Sequence, residues 1–163
     1  MLNTITYEQL PASTRVWIYQ NNRPFSPTES QAIEQQLATF TQQWVSHNRQ
    51  LQAFGMIQHQ QFIVLMVDES RAGASGCSID QSIHFIQNLE QQFGVNLFDR
   101  MTFTYEKEGQ VQTASREELS RLYREGLVDD NTVVFNNLVK NKAELERQWR
   151  VPLGQSWHKR LLS

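Results

Sequence analysis

Six consecutive apolar residues, Phe62-Ile63-Val64-Leu65-Met66-Val67, constrain this chain more than any other feature. A run of that length without a polar face reads as a strand covered on both sides, at the middle of a sheet. The loop after it, Asp68 to Cys77, holds the only cysteine and the densest group of small and polar residues. A helix is expected to open at Ser78, with Gln81 completing a capping box. Ile79, Ile83, Ile86, Leu89 and Phe93 then repeat at helical spacing, and Gly94 suits the C-terminal cap. Strand, loop and helix from Phe62 to Phe93 form the unit around which the rest is read.

Upstream, Pro11 stops any early helix, and Arg15 to Tyr19 is a first strand, apolar on both faces and hence expected at the sheet centre. Ser26-Pro27-Thr28-Glu29 announces a helix: a capping hydroxyl, proline at the first helical position and a glutamate placed for a capping box. Ile33, Leu37, Phe40, Trp44 and Val45 give its stripe, and His47-Asn48-Arg49 its end. Leu51, Ala53, Gly55 and Ile57 alternate as in a half-buried strand that turns at His59-Gln60. Met101 to Glu106 is a further strand, turning at Lys107-Glu108-Gly109 into Gln110 to Thr113.

The order through residue 106 is strand, helix, strand, strand, helix, strand. Repeated right-handed crossovers in that order predict an α+β fold, a ferredoxin-like split βαββαβ sandwich with the first and third strands central. Residues 107–163 form a C-terminal α/β annex: a helix capped by Ser115, a short strand over Asn131 to Phe135, a helix over Asn141 to Trp149 and an irregular tail with Trp157 and His158. The expected division is a 1–106 core and a 107–163 annex packed on it, with one compact domain overall as the alternative. A chain of 163 residues has room for either.

Charge and cysteine usage narrow the function classes. The net charge of −2 argues against a nucleic-acid partner. Residues 1–99 carry no Lys, four Arg and eight acidic residues, whereas residues 140–163 carry six basic residues against two Glu. The asymmetry reads as a balance between halves. A single cysteine forms no internal disulfide and suits a reducing compartment. With no charged leader followed by an apolar run and no stretch of membrane-spanning length, cytoplasm is expected and a membrane is not.

Candidate chemistry gathers in the loop. Cys77 stands just before the expected helix start, where free amides and the helix dipole favour a thiolate. A covalent role also needs a base, and the expected topology would set His47 or Arg49 beside the loop; Cys77 and His47 are the catalytic candidates. Ser75, Gly76, Cys77, Ser78 and Asp80 form a candidate ligand-binding set, since a glycine-shaped loop at a helix start receives small anions. Asp68, Glu69 and Asp80 oppose an anion and match no calcium loop. His47, His59, His84 and His158 lack ligand spacing, so no metal and no cofactor is expected. The plain readings are a packed thiol and a glycine-shaped cap.

Two resemblances add to this. Ala74-Ser-Gly-Cys-Ser-Ile-Asp80, Phe98-Asp-Arg100 and Val151-Pro-Leu-Gly-Gln-Ser-Trp-His158 together resemble a family of short bacterial proteins of unknown function, over most of the chain. Some members are labelled ABC transporter ATPases. Here Gly-x-x-x-x-Gly-Lys-Ser/Thr is absent, so no triphosphate cradle exists. Phe103-Thr-Tyr105, Gly109-Gln110, Ser115 to Leu119, Leu122, Gly126 and Thr132-Val-Val-Phe135 resemble the bacterial GYF-type adaptor modules, with Gln112-Thr113-Ala114 in place of their Gly-Pro step. That resemblance implies peptide or protein recognition. The expectation is a non-catalytic binding or adaptor protein acting through a protein partner. The alternative is an enzyme or small-anion sensor working through the Ala74 to Asp80 loop.

Overall fold

The computed structural model describes residues 5–162. Mixed α and β structure is observed, with antiparallel pairing in all of its sheets. The chain divides into two compact units, residues 1–98 with 140–143, and residues 99–139 with 144–163.

In the first unit, β1 (Arg15–Gln20) leads to α1 (Pro27–Gln43), whose start is as the sequence predicts: Ser26 Oγ accepts from the Glu29 N–H and the Glu29 carboxylate accepts from the Ser26 N–H. The helix ends earlier than its apolar stripe. Trp44 turns extended and buries its ring, while Val45 begins a small hairpin, β2 (Val45–Ser46) and β3 (Arg49–Gln50). His47 and Asn48 form its turn at φ 50° and 65°, left-handed conformations that a helix end does not require. Next come β4 (Gln52–Gln58), β5 (Phe62–Asp68) and α2 (Gly76–Phe93).

The sheet runs β1-β5-β4. Residues Phe62 to Val67 are fully buried in its middle, as their unbroken apolar run predicts. Ile63 and Leu65 pack into one core with Ile33 and Leu37 of α1 and Ile86 and Leu89 of α2. Gly55 lets α1 approach β4, because a Cβ there would lie 3.1 Å from Leu37 Cδ2.

The ferredoxin-like sandwich is met only as far as α2. The strand expected to be its fourth, β6 (Thr102–Lys107), lies in another sheet, and β1 stands at an edge instead of the centre. Alongside the start of β1 runs the tetrapeptide 140–143 instead: Val16 donates to the Lys140 carbonyl, and Lys142 and Ala143 donate to the carbonyls of Thr14 and Ala12. Backbone pairing depends on which segment arrives, and the apolar pattern of β1 is the same for a central strand and a covered edge.

The second unit is built on β6, β7 (Gln110–Ser115), α3 (Arg116–Arg124), β8 (Val133–Phe135) and β9 (Arg150–Pro152), in sheet order β7-β6-β8-β9. Between β8 and β9 lies α4 (Lys142–Gln148). β6 and β7 are two strands of one hairpin that turns at Glu108 and Gly109, φ 54° and 77°. Ser115 caps α3 by accepting from the Glu118 N–H, and Gly126 follows the helix at φ 77°. Phe103, Tyr105, Ala114, Leu119, Val128, Val134 and Leu153 form the core. Trp149 is buried against Phe135, and the Trp157 indole donates to Asn136 Oδ1 at 3.0 Å. Among the described residues no helix is long and apolar enough to cross a membrane.

Candidate functional site

The loop from Asp68 to Ser75 is closed by its own side chains. Asp68 Oδ1 accepts from the Ser70 N–H at 3.0 Å, an Asx turn. Glu69 folds back across the loop, and its Oε2 accepts from the Ala74 N–H at 2.9 Å. Gly73 permits this, since a Cβ there would stand 3.2 Å from the same oxygen. The guanidinium of Arg15, set over the Trp17 ring at 4.8 Å, lies 3.8 Å from the other carboxylate oxygen. A carboxylate of the chain itself thus takes the Ala74 amide, and the Ser75 and Ser78 amides are taken by each other's hydroxyls.

The helix starts three residues before the sequence predicts. Ser75 is the cap, and its Oγ accepts from the Ser78 N–H at 3.2 Å. Ser78, the cap expected from the sequence, instead reaches back from the third helical position. Its Oγ accepts from the Ser75 N–H at 2.7 Å and donates to the Ser75 carbonyl at 2.8 Å. Both Ser75 and Ser78 satisfy capping rules, and only the packing decides between them: Ser78 is buried, and its carbonyl accepts from the Trp44 indole at 2.8 Å. That bond ties the base of the β2–β3 hairpin to the first turn of α2.

Of the sequence candidates, Ser75 and Ser78 meet each other and Gly76 and Cys77 share their turn. Cys77 is exposed, inside the helix instead of before it. Asp80 is exposed as well, and His47 sits exposed in the hairpin turn. Neither Cys77 nor His47 has a polar side-chain partner among the described residues, so no nucleophile and base are joined. No cluster of three or more His, Cys, Asp or Glu suited to a metal ion occurs among the described residues. Arg23 is held by Glu29, with two bonds of 2.9 Å, while Asp99 accepts from the Met101 N–H and the Thr102 hydroxyl. The Arg23 guanidinium, together with the Ser26 N–H, holds the Glu29 carboxyl down at about 2.

Compared with known proteins, the chain matches no family model, no curated protein and no solved structure. Function therefore rests on the chemistry of its own residues.

Two further places escape the sequence reading. In the second unit, Ser156 Oγ lies 2.6 Å from His158 Nδ1 and the imidazole stacks on Trp157 with centroids 3.9 Å apart. Burial pushes this imidazole down to about 4, so it is neutral at pH 7. A serine beside a neutral imidazole has the parts of a nucleophile and base. Here both are buried, the ring is edge-on to Phe103, and Ser156 caps the turn that carries His158. The pair is a core fastening. The other place is a cleft of about 100 Å³ beside β4, lined by Ile5, by Ala38, Thr41 and Gln42 of α1, and by residues 50–55. A sequence signal for it exists: from Gln50 to Val67 no Asp, Glu, Lys or Arg occurs.

Proposed function

We propose that the chain is a non-catalytic binding protein that acts through contacts with a protein partner, with the second unit as an adaptor-like module. The observation that carries this reading is how the segments resembling GYF-type modules come together. Phe103 and Tyr105 of β6, Leu119 of α3 and Val134 of β8 share one core, so residues scattered over the resemblance act as one folded piece. Chemistry at the loop has less support. Its Glu69 carboxylate is turned onto its own backbone, and its thiol has no polar side-chain partner among the described residues.

Met101, Leu127 and Leu138, at 69%, 51% and 60% exposure, are large apolar side chains of this unit left open to solvent. A partner that covered them would remove this apolar surface from water. The test is cross-linked capture from extract of the native cells, followed by the same capture with Leu127→Asp and Leu138→Asp. Both positions are exposed, so thermal unfolding should be unchanged. Loss of the captured proteins in a normally folded variant supports the module. Equal capture by wild type and both variants removes it.

A further inference from the structure

Resting on that protein-contact reading, we infer that the first unit holds its own peptide site: the groove between α1 and the outer edge of β4 takes an extended, uncharged segment of a partner protein as an added strand.

The edge is open in a specific pattern. Val16 donates outward to Lys140, so Trp17 and Tyr19 turn their backbone groups toward β5. In antiparallel pairing this direction alternates by residue. The registers Trp17–Leu65 and Met66–Phe54 then direct Gln52, Phe54 and Met56 toward β5 and leave Ala53, Gly55 and Ile57 facing out. β4 has no strand on that side, and the N–H and C=O groups of these three residues have no partner among the described residues. Exposed strand edges of this length are usually protected by lysine, proline or a bulge. The run Gln52 to Gln58 contains no charge and no proline, and its pairing with β5 is unbroken.

The groove also selects its occupant. Its lining has no ionisable side chain, while glutamine amides border it at 42, 50 and 52. A charged side chain buried there would lose hydration without a counter-ion, whereas an aliphatic one would not. A volume of about 100 Å³ admits one side chain of valine size next to Ala38. The chain already sets an aliphatic side chain there, since Ile5 lines the same cleft. Strand addition between a helix and a sheet edge derives affinity from main-chain bonds and specificity from alternate side chains.

The probe is the capped heptapeptide acetyl-Gln-Val-Ser-Val-Thr-Val-Ser-amide, titrated into the full chain with amide shifts followed by NMR. Saturable shifts are expected at Ala53, Gly55 and Ile57 and along α1 at Ala38, Thr41 and Gln42. N-methylation of the peptide's alternate amides, a central valine replaced by aspartate, or Ala38→Trp in the protein should each weaken binding by about tenfold or more. Ala38 is exposed, so this variant should melt as wild type does. Shifts elsewhere, no shifts, or N-methylated peptide bound as tightly as the parent would overturn the site. In the capture experiment, partners retained by Ala38→Trp but lost by Leu127→Asp sink the groove and keep the adaptor reading. Peptide binding at the groove with no captured protein at all sinks the adaptor reading and keeps the groove.

Discussion

His158 shows how a single residue can be ordinary in sequence and decisive in structure. Nothing in its spacing marked it, because burial is a property of the whole fold around it. Its folded pKa of about 4 lies below the ordinary 6.5. Between those values the unfolded chain binds the proton and the folded one does not. Its contribution is therefore complete above pH 6.5 and lost as pH falls toward 4. Urea titrations should show the second unit losing about 3 kcal/mol from pH 7 to pH 4 on this account. His158→Phe should remove that part of the acid slope. Cys77 is the contrasting case, conspicuous in sequence and plain in structure. Exposed and with no polar side-chain partner among the described residues, it should react with iodoacetamide within about threefold of glutathione at pH 7. A rate a hundredfold higher would reopen the enzymatic alternative.

Among the elements, β5 and the start of α1 were legible because each is specified locally, the strand by an unbroken apolar run and the helix by Ser26, Pro27 and Glu29. The end of α1 and the start of α2 were not. Trp44 continues a helical stripe by spacing, but its indole finds a carbonyl at Ser78 only by leaving the helix. Ser75 and Ser78 are both legitimate caps, and that same contact buries one of them. The packing of α1 on β4 rests on the absent side chain at Gly55. Gly55→Ala places a Cβ 3.1 to 3.3 Å from Leu37 and Leu65 atoms, and should cost about 1–3 kcal/mol by forcing helix and strand apart. Chemical denaturation measures this. An unchanged midpoint would mean that α1 shifts without loss.

At the scale of the whole molecule, the chain leaves its first unit after Phe98 and returns to it for residues 140–143. Lys142 secures the return. Its ammonium is buried, donates to the Tyr7 and Leu10 carbonyls at 2.9 and 2.7 Å, and lies 4.2 Å from the centre of the Tyr7 ring. Lys142→Met leaves a buried carbonyl without its donor and should cost the first unit about 1–3 kcal/mol. Hydrogen exchange should accelerate first at Val16, whose N–H bonds to Lys140, and no change there would show that the tetrapeptide holds without its lysine. Sequence alone determined the mixed α+β class but not the sheet arrangement, together with the central β5 and most helix starts, because apolar period and capping chemistry act within a few residues. It also pointed to the loop as a place of unusual composition, but not to the Glu69 carboxylate that folds back onto its Ala74 amide. Tertiary structure alone decided the partners of β1 and β6, the cap of α2 and the groove beside β4. Strand partnership and side-chain burial depend on segments far apart in the chain, and no local pattern of residues encodes which of them will meet.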